Sequence, residues 1–161
     1  MNPACRRRPS RRDLLAAAAA LPAAGCLSAV AIRPARAAVP ETMEAAIREF
    51  AGEAAIRDGR VKLEIPALVE NGNSVTLSVA VESPMSAADH VKAIGLFNER
   101  NPQREVAVFH LTPRSGRAHV STRIRLATSQ KLVAVARMSD GSHWSATVDV
   151  IVTLAGCIEG S

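Results

Sequence analysis

Cysteine and aromatic side chains are scarce in this 161-residue chain: three cysteines, one tryptophan, three phenylalanines and no tyrosine. With aromatics at 2% and apolar residues at 48%, a core has to be built from Val, Ile, Leu and Ala. A single domain of this length leaves little room for a deep substrate pocket beside its own core. The sequence also lacks a Gly-x-Ser-x-Gly elbow, a phosphate loop and a dinucleotide fingerprint. The four histidines, His90, His110, His119 and His143, are scattered and do not show the short spacings of metal sites, so they are expected at the surface or in turns. Asp89-His90 and Asp140-Gly141-Ser142-His143 bring acids beside histidines, but adjacency in sequence does not make a triad. The expectation is a protein with no metal, no cofactor and no catalytic constellation.

An excess of one charge is missing too, once the first 37 residues are set apart. The net charge of +5 comes from seven arginines in that segment, opposed there by Asp13 alone; the remainder carries thirteen basic residues against fourteen acids. Concentrated positive charge, the main footprint of nucleic-acid binding, is therefore absent from the remainder.

The first 37 residues read as an address. A basic region ends in Ser10-Arg11-Arg12-Asp13-Leu14-Leu15, an Ala/Leu-rich run follows from Leu14 to Ile32, and Ala35-Arg36-Ala37 supplies a small-x-small cleavage signature. Arg11 and Arg12 just before the apolar run fit a twin-arginine export signal. The run is about as long as a membrane-spanning helix needs, but it is Ala-rich, interrupted by Pro22 and Gly25, and followed by the processing site. Gly25-Cys26 only weakly resembles a lipoprotein box, so Cys5 and Cys26 are expected to leave with the signal, and the protein is expected in the periplasm.

In the remainder, Met43, Ala46, Ile47 and Phe50 follow one apolar helical face, predicting a helix from Pro40 to Phe50 that Gly52 stops. The period then changes to two. Val61–Ile65, Val75–Val81, Val91–Phe97, Val106–Leu111, Val120–Leu126, Leu132–Met138 and Trp144–Leu154 read as strands, separated by Pro and Gly breaks and by the turns Asn71-Gly72-Asn73 and Asp140-Gly141. About seven short strands with turns every eight to twelve residues predict an all-β fold: an immunoglobulin-like antiparallel sandwich spanning 38–154, with a short N-terminal helix. Trp144 is expected as a core anchor.

Residues 155–161 follow as an arm carrying Cys157, the one cysteine left after signal removal. Gly156 and Gly160 are expected to loosen its backbone, and chain ends are poorly ordered unless tied down. An unpaired thiol in an exported protein is a candidate reactive or intermolecular group. The alternative is a buried terminal cysteine packing as a small hydrophobe beside Ile158.

Several stretches carry a resemblance. ETMEAAIREFAG (41–52), VKLEIPALVENGN (61–73), VAVESPMSAADHVKAIGLFN (79–98), Asn101-Pro102, Ser121–Leu126 and Met138-Ser139-Asp140-Gly141 are similar to the SoxY family of sulfur-oxidation carrier proteins. The resemblance implies an immunoglobulin-like fold and a periplasmic heterodimer with a SoxZ-like subunit. It also implies a C-terminal cysteine, here Cys157, that holds thiosulfate-derived sulfur covalently and presents it to separate oxidising and hydrolysing enzymes. It implies a carrier rather than a catalyst. The family's arm reads Gly-Gly-Cys-Gly-Gly; here it is Ala155-Gly156-Cys157-Ile158-Glu159, which is stiffer, bulkier and more acidic. The runner-up is an exported binding module whose cysteine is structural or forms an intermolecular disulfide.

Overall fold

The computed structural model describes residues 42–156. Helix α1 runs Met43–Ala51. Thr42 caps it by accepting the Ala45 N–H at 3.1 Å, and Gly52, with φ of 67°, ends it. Nine strands follow: β1 (Ile56–Asp58), β2 (Val61–Glu64), β3 (Leu68–Val69), β4 (Val75–Val81), β5 (Val91–Asn98), β6 (Glu105–His110), β7 (His119–Ile124), β8 (Gln130–Met138) and β9 (His143–Val152).

Strict alternation builds the smaller sheet, ordered β2-β4-β7 and antiparallel throughout. In β4, Val75, Leu77, Val79 and Val81 are buried while Thr76, Ser78 and Ala80 face outward. The larger sheet is ordered β1-β9-β8-β5-β6. Its central strands are nearly continuous apolar runs because both faces are covered. One face, with Ile94, Leu96, Ala134, Ala136 and Met138, packs against the small sheet. The other, with Phe97, Val133 and Val135, is covered by Met43 and Ala46 of α1. Phe50 meets Phe97 edge-on at 5.6 Å between ring centroids. Fully burying a side chain such as Phe97 contributes about 2–3 kcal/mol, so the amphipathic helix is held by its footprint on the sheet. The antiparallel sandwich is as the alternation predicts.

Two strands lie outside the sequence reading. β1 and β3 both pair in parallel with β9, Ile56 opposite His143 and Leu68 opposite Ile151. Because β8 runs antiparallel along one edge of β9, β1 and β3 share the other edge. The last strand is thereby clamped on both sides, and it delivers the chain to its C-terminal stretch.

Candidate functional site

Of the residues expected to matter at the C-terminus, Gly156 is described, whereas Cys157 and Gly160 lie outside the described residues, as do Arg11 and Arg12 of the export signal. The structure therefore defines the chain as far as Gly156, the root of the C-terminal stretch.

That root is built where β9 ends. The Val152 N–H donates to Ser129 Oγ at 2.9 Å, and the Thr153 hydroxyl donates to the Glu70 carbonyl at 3.0 Å. Beyond β9 the chain meets the turn that follows β3. The Gly72 N–H donates to the Leu154 carbonyl, the Leu126 N–H donates to the Gly72 carbonyl, and the Gly156 N–H donates to the Leu126 carbonyl, each at 2.8 Å. The turn is preset by Asn71, whose side-chain oxygen accepts the Asn73 N–H at 2.9 Å.

This corrects the reading of Gly156 as a loosening residue. Its backbone is tied, and a side chain is excluded for another reason: a Cβ there would lie 2.6 Å from Asn73 N and closer still to the Gly72 carbonyl.

The segment carrying Leu126 is itself braced by a buried amide network. Asn98 is fully buried and Gln130 is 5% exposed. Asn101 Oδ1 accepts from the Ala127 N–H at 2.9 Å and from Gln130 Nε2 at 2.8 Å, while Asn101 Nδ2 donates to the Arg125 carbonyl at 2.7 Å. Asn98 Oδ1 accepts the Asn101 N–H at 3.0 Å, closing the loop onto β5. In the sequence Asn101-Pro102 counted toward the family resemblance; in the structure the Asn101 side chain holds 125–130.

His110 and His119 are exposed, as expected, and His90 is half-buried. His143 departs from the surface reading. It is 4% exposed, and neither ring nitrogen makes a hydrogen bond of good geometry within the protein. The Phe50 ring stands edge-on to it, centroids 6.4 Å apart. Burial holds the imidazole pKa below its ordinary value, and the Arg137 cation opposite it pushes the same way; the nearby Gly141 backbone and Asp140 partly offset this. Trp144 packs on the core as expected; Arg60 and Arg57 lie over its ring at 5.0 and 5.7 Å, and its Nε1–H donates to Ser142 Oγ at 3.2 Å. Among the described residues, no three His, Cys, Asp or Glu side chains are grouped so as to hold a metal ion, and no helix is long and apolar enough to cross a membrane.

Comparisons with known proteins agree on a class first. Solved structures with this sandwich include a superoxide reductase (neelaredoxin) from Ignicoccus hospitalis at 20% identity and a TM-score of 0.53, covering 58% of this chain and 80% of that one. A putative superoxide reductase from Thermotoga maritima shares it at 20% identity and a TM-score of 0.50, covering 64% of this chain and 89% of that one. At those identities the likeness is one of fold. The sulfur carrier protein SoxY from Chlorobium limicola f thiosulfatophilum is more alike in sequence, at 29% identity and a TM-score of 0.60, covering 70% of this chain and 97% of that one. No curated protein sequence matched. Residues 47–157 match the family model described as sulfur oxidation protein SoxY. The chain belongs to the SoxY family of sulfur-oxidation carrier proteins.

Proposed function

We propose that this protein is a periplasmic carrier that holds thiosulfate-derived sulfur on Cys157 and is acted on by separate enzymes, without catalysing the oxidation itself. The observation that carries the reading is that the family match extends to residue 157, the cysteine itself. The described chain stays tied as far as the residue before it.

The chemistry needs a thiolate and an external oxidant. The Cys157 thiol gives up its proton and joins the terminal sulfur of thiosulfate, forming Cys–S–S–SO3⁻, while two electrons pass to an oxidising partner enzyme. Hydrolysis of that adduct by a second enzyme releases sulfate and leaves a persulfide on the cysteine. An ordinary thiol with a pKa of about 8.5 supplies a small thiolate fraction near neutrality. Tethering confines the cargo at a high effective concentration for each enzyme in turn. Export through a twin-arginine signal at Arg11 and Arg12, followed by cleavage near Ala37, accounts for the basic leader. A SoxZ-like subunit is the expected stable partner.

The test is intact mass spectrometry of the protein taken from the periplasm of sulfur-fed cells, with and without reductant. A reductant-labile mass increase mapping to Cys157 establishes the carrier role and names the cargo. A bare thiol, or only a disulfide-linked dimer, would make the binding-module reading the better one. Ile158 and Glu159 in place of the arm glycines would then be the reason.

A further inference from the structure

Alternation in β9 sends Trp144, Ala146, Val148 and Val150 into the core between the sheets, which places His143 on the outer face, beneath α1. There the Phe50 ring covers it, centroids 6.4 Å apart, and the histidine is 4% exposed. Neither Nδ1 nor Nε2 has a hydrogen-bond partner of good geometry among the described residues. Arg137 is the register partner of His143 across the β8–β9 pair, and its guanidinium lies over the same Phe50 ring at 5.2 Å. Gly95 clears the seat, since a Cβ there would lie 3.3 Å from the Phe50 ring. The surroundings hold little to balance a second cation. From β8 the facing charge is Arg137. From the turn before β9 the acid that acts on the ring is Asp140, whose carboxylate already accepts from the Ser142 N–H at 2.8 Å and the Ser142 hydroxyl at 2.7 Å. β1 sets apolar Ile56 opposite His143, while Arg57 lies over Trp144 and Asp58 accepts from the Ser145 hydroxyl at 3.3 Å. α1 presents Phe50, and its charged Glu44, Arg48 and Glu49 are exposed.

We propose that His143 and Arg137 form an acid-sensitive latch for α1: a proton on the ring sets two cations beneath Phe50, and the C-terminal turn of the helix then leaves the larger sheet while the sandwich stays folded. The latch does not depend on the carrier reading. A buried charge without a paired acceptor is costly, and the least costly relief is to hydrate the ring by lifting what covers it. That cover is lightly held. α1 has nine residues, fewer than the about 12–15 at which an isolated helix becomes even marginally stable in water. Its seat is a small apolar cluster of Met43, Ala46, Phe97, Val133 and Val135, separate from the main core between the sheets. Beyond the helix, Gly52 to Ala55 are exposed, so this link can turn without disturbing β1. Opening of the helix is therefore a local event that lies below global unfolding in free energy. The direction follows from which state holds the proton better. Burial and the Arg137 cation keep the ring pKa below its ordinary 6.5 while the latch is closed, and an exposed imidazole titrates near 6.5. The open state binds the proton more tightly, so opening gains up to about tenfold per pH unit as the pH falls from about 6.5 toward the closed-state pKa. Opening uncovers Phe97, Val133 and Val135 on the outer face of the larger sheet.

The experiment follows the full-length protein, His143→Leu and Arg137→Gln from about pH 7.5 to about pH 5. Protonation of His143 is read from the NMR shifts of its ring. Amide protection, corrected for the intrinsic exchange rate at each pH, is read at residues 46–52 and in β4, β5 and β8. In the native protein α1 protection should fall about tenfold or more with the same midpoint as the ring, while the strands change less than about threefold. His143→Leu should hold α1 protection within about twofold over the whole range. Arg137→Gln keeps the ring and removes the neighbouring cation, so both midpoints should move to higher pH together. It remains informative if the leucine variant does not fold. Several results would each overturn the latch: strands that lose protection together with α1, an α1 that stays protected once the ring is charged, or a ring that stays neutral throughout. A fall that persists in His143→Leu, or midpoints that do not move in Arg137→Gln, would overturn it as well.

Discussion

Gly156 lies so near Gly72 that neither position has space for a methyl group. The contact joins the chain after its last strand to a turn some eighty residues earlier. It ties the chain at Gly156, the last of the described residues.

Replacing Cys157 with serine should abolish cargo loading while changing unfolding free energy by less than about 0.5 kcal/mol, as for a surface substitution. Urea unfolding and intact mass measured on the same preparation check both halves. A destabilisation of several kcal/mol, or loss of soluble heterodimer, would instead favour a cysteine buried as a small hydrophobe.

Asn101 serves three partners at once, the Ala127 N–H, Gln130 Nε2 and the Arg125 carbonyl. Asn101→Ala should cost about 1–3 kcal/mol, because the buried Gln130 and two backbone groups lose bonds. Amide exchange at Leu126 and Gly156 should speed up with it, since the segment that bonds to both Gly72 and Gly156 is no longer braced.

His143 ties stability to pH. Its folded pKa lies below the ordinary 6.5, so as the pH falls past that value the unfolded chain takes up a proton before the native state does. The unfolded state then binds more protons, and stability present above about pH 6.5 is lost on acidification through the folded pKa. His143→Leu should flatten the dependence of the urea midpoint on pH between 7.5 and about 5. An unchanged slope would show that other groups govern acid sensitivity.

Thr42→Ala removes the acceptor for the Ala45 N–H. The loss should be about 1 kcal/mol, read as a lower thermal midpoint. Exchange should increase in α1 before it does in β4 or β7, because the helix packs on the larger sheet, over Phe97, Val133 and Val135.

How much of this was legible in sequence follows from the range of each interaction. The alternation in Val75–Val81 marks a half-buried strand from nearest neighbours alone, and the Met43, Ala46, Ile47, Phe50 spacing marks a helix face in the same way. The residues at 41–52, 61–73 and 79–98 also carried the family resemblance that the match over 47–157 bears out. β1 and β3 carry too few residues for a period to show, and each exists as a strand only because β9 offers an edge. His143, like the other scattered histidines, was expected at the surface or in a turn. It is buried because α1 brings Phe50 over the outer face of β9, which nothing near residue 143 in sequence announces.

The chain's local chemistry thus determined the class of fold and the family resemblance. Each depends on residue type and short-range order. Tertiary structure decided what Gly156 does. A glycine before a terminal cysteine reads as slack when only its neighbours are considered. It becomes an anchor because β3 and the Asn101 network carry Gly72 and Leu126 to within hydrogen-bonding distance of the chain after β9. Close approach of backbones depends on where distant segments meet, and the sequence around residue 156 does not encode that.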